Sequence, residues 1–350
     1  MNIESLQKFL LEKNVPKFRL KQIEEAVFRT GKEHFQEIKE LPADLRLFLK
    51  NEFDSVYSFL VEKVLESENG SAAKALLKLK DGLLIETVLI SPKSEIWTAC
   101  ISVQVGCPLK CDFCATGKMG LTRNLTTEEI ADQVLFWKNY CWKNRLGKGL
   151  TNVVVMGMGE PFLNYENLKK ALEIMTNNEL FGLGSRRISI STAGIPEGMK
   201  KLAENFPQIN LALSLHFADQ EKREKYMPIA KKYDLKSLIL GLKYYLKKAN
   251  RKVFLEYLLL DGINDKKEDL EKLVEFVKSF SANHLLTVNL IGYHQHQLSP
   301  FKSVSKQRIK KVKAFLEKQG VAVTIRKSLG EDIEGACGQL AGSGKTNFNY

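Results

Sequence analysis

Beyond Thr98, segments with the apolar periodicity of β-strands alternate with segments that have the periodicity of α-helices. The strands are predicted at residues 99–105, 152–157, 187–192, 208–216, 252–260 and 285–293. The helices are predicted at residues 126–140, 165–175, 197–204, 235–248, 267–279 and 303–317. Six successive strand–helix units predict an α/β fold whose parallel sheet curls into an incomplete (β/α)6 barrel. A doubly wound open sheet is the alternative architecture.

Three further segments surround this predicted barrel, which takes residues 96–340. Residues 1–55 have helical periodicity and are predicted to form a small accessory domain, whose basic side chains either contact nucleic-acid phosphates or form a solvated face. Residues 56–95 change to strand periodicity, and Asp81-Gly82 predicts a hairpin with a type I′ turn. Residues 341–350 form a C-terminal tail.

One loop concentrates the cysteines: Cys107, Cys111 and Cys114 follow the first predicted barrel strand. Three thiolates at this spacing can bind one 4Fe-4S cluster and leave its fourth iron open for a ligand. A zinc knuckle is an alternative, although the chain has no second Cys-x2-Cys pair to supply a fourth ligand. Inert buried cysteines are a further alternative, which the polar and proline residues of the loop disfavour.

In a parallel barrel, active residues come from the carboxyl ends of the strands. Gly159 and Glu160 end the second predicted strand, where glycine permits close backbone approach and the carboxylate can accept from an ammonium group. The next two strands alternate small polar and large apolar residues, which predicts a polar row inside the barrel and a ligand cavity there. The polar row contains Ser189, Ser191, Ala193, Asn210, Ala212, Ser214 and His216.

The chain is basic, because 53 Lys and Arg residues against 41 Asp and Glu residues give a net charge of +12. Such an excess favours an anionic partner such as RNA. The six cysteines are too few for a secreted disulfide framework, and the N-terminus lacks an apolar signal core. No apolar run is long enough to span a membrane. We therefore expect a cytoplasmic protein with no membrane association, and nothing in the sequence calls for more than a monomer.

Five separated motifs occur in order along the chain: Gln104-Val-Gly-Cys107, Cys114-Ala-Thr-Gly117, Gly157-Met-Gly-Glu-Pro161, Ser214-Leu-His216 and Ala336-Cys337-Gly-Gln-Leu340. With these motifs the chain resembles the radical S-adenosylmethionine (SAM) enzymes, and among them the RlmN dual-specificity RNA methyltransferases. The resemblance implies a 4Fe-4S cluster and two SAM molecules per turnover. It also implies SAM contacts from Gly159, Glu160, Ser191, Ser214, Leu215 and His216.

The same resemblance implies a task for two further cysteines, Cys337 and Cys100. Cys337 lies in a loop of small residues that we expect to be mobile and exposed, as suits a nucleophile. In the family, one SAM methylates the cysteine that matches Cys337, and a second SAM is reduced to a 5′-deoxyadenosyl radical that abstracts hydrogen from the methyl group. The carbon then adds to adenine, and Cys100 would resolve the protein–RNA adduct by removing a proton and forming a disulfide with Cys337.

The substrates and partners implied by the resemblance are adenine 2503 of 23S rRNA, adenine 37 of some tRNAs, and a flavodoxin-type reductant. Glu86, which is flanked by apolar residues in the predicted hairpin, matches a glutamate that lies near the target base in the family, and we interpret it as a proton acceptor or else as a solvent-facing residue. The sixth predicted strand is followed by His294, where the family usually has an asparagine that binds SAM. His294 could replace that asparagine as a hydrogen-bonding residue.

The sequence leaves three alternative functions open. The Cfr enzymes share the mechanism but methylate C8 of the same adenine; their Gly-Met-Gly-Glu motif precedes alanine, whereas RlmN has proline, so Pro161 favours C2. A non-catalytic, zinc-dependent RNA-binding protein would also suit the charge and the cysteine loop. An enzyme that installs a glycyl radical would leave Cys100 and Cys337 without a task.

Overall fold

The computed structural model describes residues 1–53, 55–93, 95–295 and 299–341, so residues 342–350 of the predicted tail lie outside the described residues. The chain begins with three helices, α1 (Ile3–Glu12), α2 (Phe18–Glu24) and α3 (Ala43–Phe53). Asn2 caps α1 by accepting from the Ser5 N–H at 2.7 Å. The apolar faces of α1 and α3 meet where Phe9 packs edge-on against Phe53.

An antiparallel sheet extension follows, built from β1 (Phe59–Glu66), β2 (Ala72–Leu79) and β3 (Leu84–Lys93). The predicted type I′ turn between β2 and β3 is wrong. Leu79 N–H donates to the Leu83 carbonyl, which leaves a three-residue loop, and of Asp81 and Gly82 only Gly82 has positive φ, at +84°. Such a loop needs left-handed backbone only at its last residue, so glycine is required there and aspartate keeps an ordinary conformation.

The parallel part of the sheet runs in the order β4 (Ile96–Cys100), β7 (Leu150–Val155), β8 (Ile188–Thr192), β9 (Asn210–Ser214), β10 (Val253–Leu259), β11 (Leu286–Gly292) and β12 (Val323–Ile325). In the chain, the segment between β4 and β7 contains two further strands, β5 (Gln104–Gly106) and β6 (Leu121–Asn124), which form a separate antiparallel ribbon. The strands of the parallel part are adjacent in chain order without reversal, so the sheet winds one way around an axis and the doubly wound alternative is wrong.

The helices that connect these strands are α4 (Ala115–Met119), α5 (Thr127–Lys143), α6 (Tyr165–Thr176), α7 (Pro196–Asn205), α8 (Gln220–Tyr226), α9 (Leu235–Ala249), α10 (Lys267–Lys278) and α11 (Lys306–Lys318). The predicted capping box at the start of α5 is confirmed: Thr126 Oγ1 accepts from the Glu129 N–H at 3.3 Å, and Glu129 accepts from the Thr126 N–H at 2.9 Å.

The sheet remains an incomplete barrel, because β1 and β12 are its two edges and do not pair with each other. The antiparallel strands β1, β2 and β3 extend the parallel wall beyond β4. One predicted strand, residues 99–105, is wrong in extent: β4 ends at Cys100, and Gln104 begins β5 in the separate ribbon. The seventh parallel strand, β12, was not predicted, since three residues are too few for a periodicity signal.

Candidate active site at the carboxyl ends of the parallel strands

An open cavity lies at the carboxyl ends of the parallel strands, where a barrel of this kind carries its active residues. Among the residues singled out from the sequence, those that line the cavity include Cys111, Cys114, Gly159, Glu160, Ser191, Ala193, Ser214, His216 and Cys337. The predicted polar row is therefore confirmed only at its carboxyl end, since Ser189, Asn210 and Ala212 are not among the lining residues. Residues from five segments far apart in the chain meet here.

The cysteine loop connects β5 to α4. The Cys107 N–H donates to the Gly120 carbonyl at 2.8 Å, and the Cys114 N–H donates to the Cys111 carbonyl at 3.2 Å, so the loop turns back on itself. Burial, together with the nearby Cys114 and Glu160, raises the pKa of Cys107 to about 12, against the lowering effect of a backbone hydrogen bond from Leu109. Burial likewise raises the pKa of Cys111, with the other two loop thiols adding to the rise. Thiols gathered in this way ionise readily only when cations lie beside them.

These three thiols fit a 4Fe-4S cluster in their chemistry. Thiolates are the usual ligands of iron–sulfur clusters, and three of them leave one iron open. Within the described residues, no three His, Cys, Asp or Glu side chains lie close enough to hold a single metal ion. A cubane cluster does not need such a tight group, because each of its thiolates binds a different iron.

The segment after β7 brings backbone and a carboxylate to the cavity. Gly159 has φ of +99°, and a Cβ atom placed on it would lie 2.5 Å from the Gln104 Cβ, so only glycine fits. The side chain of Gln104 in turn accepts from the Glu160 N–H at 2.8 Å. This contact fixes the direction in which the Glu160 carboxylate enters the cavity wall.

The Glu160 carboxylate is almost fully buried and already accepts three hydrogen bonds, from Thr192 Oγ1 at 2.7 Å, the Ala193 N–H at 2.8 Å and the Phe162 N–H at 3.1 Å. A carboxylate has about four acceptor positions, so one remains for a ligand. Burial raises the pKa of Glu160 to about 7, against the lowering effect of the three donors. A cationic ligand that binds here would therefore favour the ionised carboxylate of Glu160, and this carboxylate would in turn stabilise the cation.

Ser191 and Ser214 end neighbouring strands, and their hydroxyl oxygens are 3.1 Å apart at the cavity wall. His216 follows β9 and is buried, with its ring edge-on to Phe113 of the cysteine loop. Its Nδ1 accepts from the Leu258 N–H at 3.1 Å, which places the proton of the neutral ring on Nε2. Burial, followed by the charge of Arg223, lowers the pKa of His216 to about 3, so the ring is neutral at physiological pH.

Sequence reasoning missed Arg223, which is fully buried. Its guanidinium donates to the carbonyls of Leu215 and Ala193 and thereby ties α8 to the ends of β8 and β9. Leu215 itself is buried and is not among the cavity-lining residues. Arg223 lies in a helix rich in Lys and Glu, and nothing in that composition distinguishes a buried arginine from a solvated one.

Sequence reasoning also missed a charged pair in the cavity wall. Arg326, just after β12, forms an ion pair with the buried Glu256 at 3.6 Å, and both line the cavity. Asn289 donates to the Glu256 carboxylate at 3.0 Å. The pKa of Arg326 is raised above its ordinary value chiefly by Cys337, then by Glu256 and Cys100, so this guanidinium faces both cysteines.

The two further cysteines thus lie near each other, around Arg326. Cys337 is exposed, as predicted, and Cys100 ends β4 in a partly buried position. Burial and, to a lesser extent, Cys337 raise the pKa of Cys100 to about 12, although the charge of Arg326 opposes the rise. All six cysteines are free thiols in this structure.

Five predicted site residues are not among those that line the cavity: Cys100, Cys107, Leu215, Glu86 and His294. Glu86 is buried in β3, so its solvent-facing alternative is wrong, and its carboxylate pairs with Lys74 at 3.2 Å. The imidazole of His294 lies 2.6 Å from Ser328 Oγ and 3.2 Å from the Glu331 carboxylate. Glu86 and His294 therefore contact other parts of the chain in the positions that the structure gives them.

The singly wound parallel sheet and the loop with Cys107, Cys111 and Cys114 define a radical SAM enzyme. The family model described as the Radical SAM superfamily matches residues 101–277. A crystal structure of a radical SAM methyltransferase from Sphaerobacter thermophilus aligns with a TM-score of 0.92 and 34% identity, covering 98% of each chain.

Curated relatives match nearly the whole chain. A ribosomal RNA large subunit methyltransferase Cfr from Bacillus velezensis is 38% identical over 98% of this chain and 97% of its own length. A probable dual-specificity RNA methyltransferase RlmN from Christiangramia forsetii is 39% identical over 97% of this chain and 94% of its own length. The chain belongs to the RlmN/Cfr family of radical SAM methyltransferases. It is therefore a SAM-dependent enzyme, and the non-catalytic zinc-binding alternative is excluded.

Proposed function

We propose that this enzyme methylates C2 of adenine 2503 in 23S rRNA, and C2 of adenine 37 in some tRNAs, through a methyl group carried on Cys337. One observation carries the proposal: Cys337 is exposed at the same cavity that holds Cys111 and Cys114 of the cysteine loop. An exposed thiol at a cavity suits a nucleophile that must meet both a methyl donor and a large substrate.

Cys107, Cys111 and Cys114 would hold a 4Fe-4S cluster, which, when bound, supplies the electron that cleaves SAM reductively. The last acceptor position of Glu160 would receive the ammonium group of SAM. Gly159 would bring its backbone against the ligand, and Ser191, Ser214 and the Nε2–H of His216 would hydrogen-bond to its polar atoms. Two SAM molecules would be used in each turnover, one for Cys337 and one for radical formation.

The two further cysteines would act in sequence. Cys337 would attack the methyl group of the first SAM as a thiolate and become S-methylated, with S-adenosylhomocysteine as the leaving group. The methyl group would then lose one hydrogen atom to the 5′-deoxyadenosyl radical from the second SAM, and the resulting carbon radical would add to adenine. Cys100 would remove a proton from the resulting adduct, which would also give up one electron to a one-electron acceptor such as the oxidised cluster. The Cys100 sulfur would then form a disulfide with Cys337 as the carbon–sulfur bond breaks, and the released carbon would take up a proton to become the methyl group of the product. The positive charge of Arg326 lowers the pKa of Cys100 against the raising effect of burial, which favours the thiolate that resolves the adduct.

A second candidate, methylation at C8 of the same adenine, is favoured by the names of several relatives. The curated relatives at 38–40% identity include both Cfr and RlmN enzymes, so identity alone does not separate the two positions. Pro161 favours C2, since RlmN enzymes have proline and Cfr enzymes have alanine after the Gly-Met-Gly-Glu motif. In this structure Pro161 is buried at the first position of a short helical turn after Glu160.

The proposed partners are 23S rRNA, tRNA and a flavodoxin-type reductant, and we expect the enzyme to act as a cytoplasmic monomer. The net charge of +12 supports an RNA substrate through counterion release. In the predicted accessory domain, the side chains of Lys17 and Lys21 are exposed, so they are available to contact phosphates. In the described residues no helix is both long enough and apolar enough to cross a membrane.

The test is reconstitution of the protein with iron and sulfide, followed by incubation with SAM, a reductant and a fragment of 23S rRNA, in the absence of oxygen. Chromatography and mass spectrometry of the digested RNA identify the product. We expect 2-methyladenosine, and a parallel reaction with tRNA tests the second substrate. Formation of 8-methyladenosine would replace the proposal with the C8 activity, and unmodified RNA from an intact cluster-loaded enzyme would refute both.

A further inference from the structure

A buried ion pair lies in the antiparallel extension, outside the cavity: Lys74 of β2 and Glu86 of β3, with 3.2 Å between nitrogen and oxygen. Both side chains are at most 3% exposed. Lys74 is paired in the sheet with Val88, and Glu86 with Leu76, so the two charged residues are diagonal neighbours on the same face. Ions removed from water in this way need further hydrogen-bonding partners to offset the cost of desolvation.

Those partners come from the segment that carries Cys337, here called the Cys337 loop and defined as residues 326–341. The Lys74 ammonium donates to the Glu334 carbonyl at 3.3 Å. The Glu86 carboxylate accepts from the Ala341 N–H at 2.8 Å. The ion pair thus holds the Cys337 loop three residues before Cys337 and four residues after it.

The part of the Cys337 loop between these two contacts rests on the cysteine loop and α4. The Gly338 carbonyl accepts from the Ala115 N–H at 2.8 Å, and the Leu340 carbonyl accepts from Thr116 Oγ1 at 2.6 Å. The Cys337 loop contains no helix or strand, so its backbone must be ordered by contacts of this kind. The contacts to Lys74 and Glu86 differ from these two in being charge-assisted, and the charged side chains that make them are buried.

We propose that Lys74 and Glu86 form a clasp that closes the Cys337 loop at both ends and so positions Cys337 at the cavity. Glu86 is then a positioning residue, which acts through the loop rather than on the adenine. This inference rests on the proposed function for the task of Cys337, but the order of the loop can be measured independently.

The decisive variant exchanges the charges, Lys74→Glu with Glu86→Lys, in the full-length, cluster-loaded protein. The exchanged pair can still form an ion pair between β2 and β3, but a carboxylate at 74 cannot donate to the Glu334 carbonyl, and an ammonium at 86 cannot accept from the Ala341 N–H. The matched control exchanges Lys78 and Glu62, which form an exposed ion pair at 3.7 Å between β1 and β2.

Three quantities are measured: the melting temperature, hydrogen exchange of the backbone amides at 334–341, and the rate at which SAM methylates Cys337. For the exchanged Lys74/Glu86 pair we expect a melting temperature close to wild type, amide exchange faster by about tenfold or more, and methylation slower by about tenfold or more. The single variant Lys74→Arg keeps a cationic donor at this position, so its rates of amide exchange and of Cys337 methylation should be close to those of wild type. The Lys78/Glu62 control should match wild type in all three measurements.

If the exchanged protein fails to fold, Lys74→Met with Glu86→Leu replaces it, since an apolar pair removes the clasp without leaving a buried charge. Wild-type amide exchange in the folded variant would overturn the clasp. So would normal Cys337 methylation in the exchanged protein with loss of the later RNA steps, which is the pattern expected if Glu86 acts as a proton acceptor. A wild-type enzyme with an ordered loop that never methylates Cys337 would refute the proposed function, and the exchange data would still decide the clasp.

Discussion

The barrel wall and the Cys337 loop bring residues to one cavity in different ways. The wall residues Glu160, Ser191 and Ser214 are placed by strand ends and by contacts with adjacent strands. Cys337 is placed by a loop whose anchoring contacts join residues 255 and 260 positions apart in the chain. The wall therefore forms as a consequence of the sheet, whereas the position of Cys337 depends on contacts that form only when the antiparallel extension and the carboxyl end of the described chain meet.

The largest effect on RNA methylation is expected from substitution of Cys337 or of its partner Cys100. Cys337→Ala should abolish RNA methylation, because no other thiol at the cavity can carry the methyl group in its place.

Cys100→Ala should instead accumulate a covalent protein–RNA adduct, visible as a shifted band in denaturing gel electrophoresis. Cys141→Ala is the matched control, since this thiol is buried in α5 and should be dispensable for activity. Full activity of either Cys337→Ala or Cys100→Ala would contradict the two-thiol mechanism.

The wall is tested by Gly159→Ala, which adds a Cβ atom 2.5 Å from the Gln104 side chain and displaces the segment that carries Glu160. We expect the affinity for SAM to fall by about tenfold to a hundredfold, which corresponds to about 1.4 to 2.8 kcal/mol. Equilibrium dialysis of the cluster-loaded protein measures it.

Gly70→Ala separates the steric clash from backbone strain, because Gly70 also has positive φ, at +63°, but no atom lies within 4 Å of the added Cβ. This control should bind SAM normally. An equal loss of SAM affinity in both variants would show that the clash with Gln104 is not the reason why residue 159 must be glycine.

A smaller effect concerns the wall at low pH. The pKa of His216 is lowered to about 3 by burial and by Arg223, whereas an unfolded histidine titrates near pH 6.5. As the pH falls below about 6.5, the unfolded chain takes up a proton that the folded chain does not, so stability is lost. Because of His216, the free energy of unfolding should be lower at pH 5 than at pH 8 by about 2 kcal/mol.

His216→Asn removes the titration, and asparagine tolerates the positive φ of +54° at this position. Urea unfolding at pH 5 and pH 8 should show a smaller loss of stability for this variant than for wild type. His284→Gln, at an exposed position, should keep the wild-type loss. A pH dependence that is unchanged in His216→Asn would contradict the neutral, buried histidine.

The smallest effect is expected at the capping box of α5. Thr126→Ala leaves the Glu129 N–H without its acceptor and should lower the free energy of unfolding by about 1 kcal/mol. Because the contact is local to one helix, SAM affinity and Cys337 methylation should remain as in wild type. A loss of Cys337 methylation would show that the wall and the Cys337 loop are more closely coupled than their contacts indicate.

The difference between the two regions also explains what could be predicted from sequence. The strand periodicity identified the polar row with Ser191 and Ser214, and the Thr126 capping box was correct, because both signals lie within a few residues. The charged contacts of Arg326 with Glu256 and of Lys74 with Glu86 were missed, since only the assembled sheet brings the two residues of each pair together. Arg223 was missed for the same reason, because only the folded sheet makes its position buried.

Two errors have local causes. The Asp81-Gly82 dipeptide is compatible with two hairpin geometries, and the pairing of Leu79 with Leu83 decides in favour of the three-residue loop. The strand at residues 99–105 was predicted too long, because the apolar pattern continues from β4 towards β5 while the backbone leaves the main sheet after Cys100. Hydrophobic periodicity does not report which sheet a strand joins.

In the proposed mechanism the methyl carbon reaches RNA through Cys337, and an isotope experiment distinguishes this route from direct transfer. Cluster-loaded enzyme is incubated with SAM whose methyl group carries carbon-13, separated from unbound SAM, and then mixed with RNA, reductant and excess unlabelled SAM. If Cys337 carries the methyl group, the product of the first turnover contains carbon-13 and later products do not. An unlabelled first product would show that the methyl group bypasses Cys337 and would contradict the account.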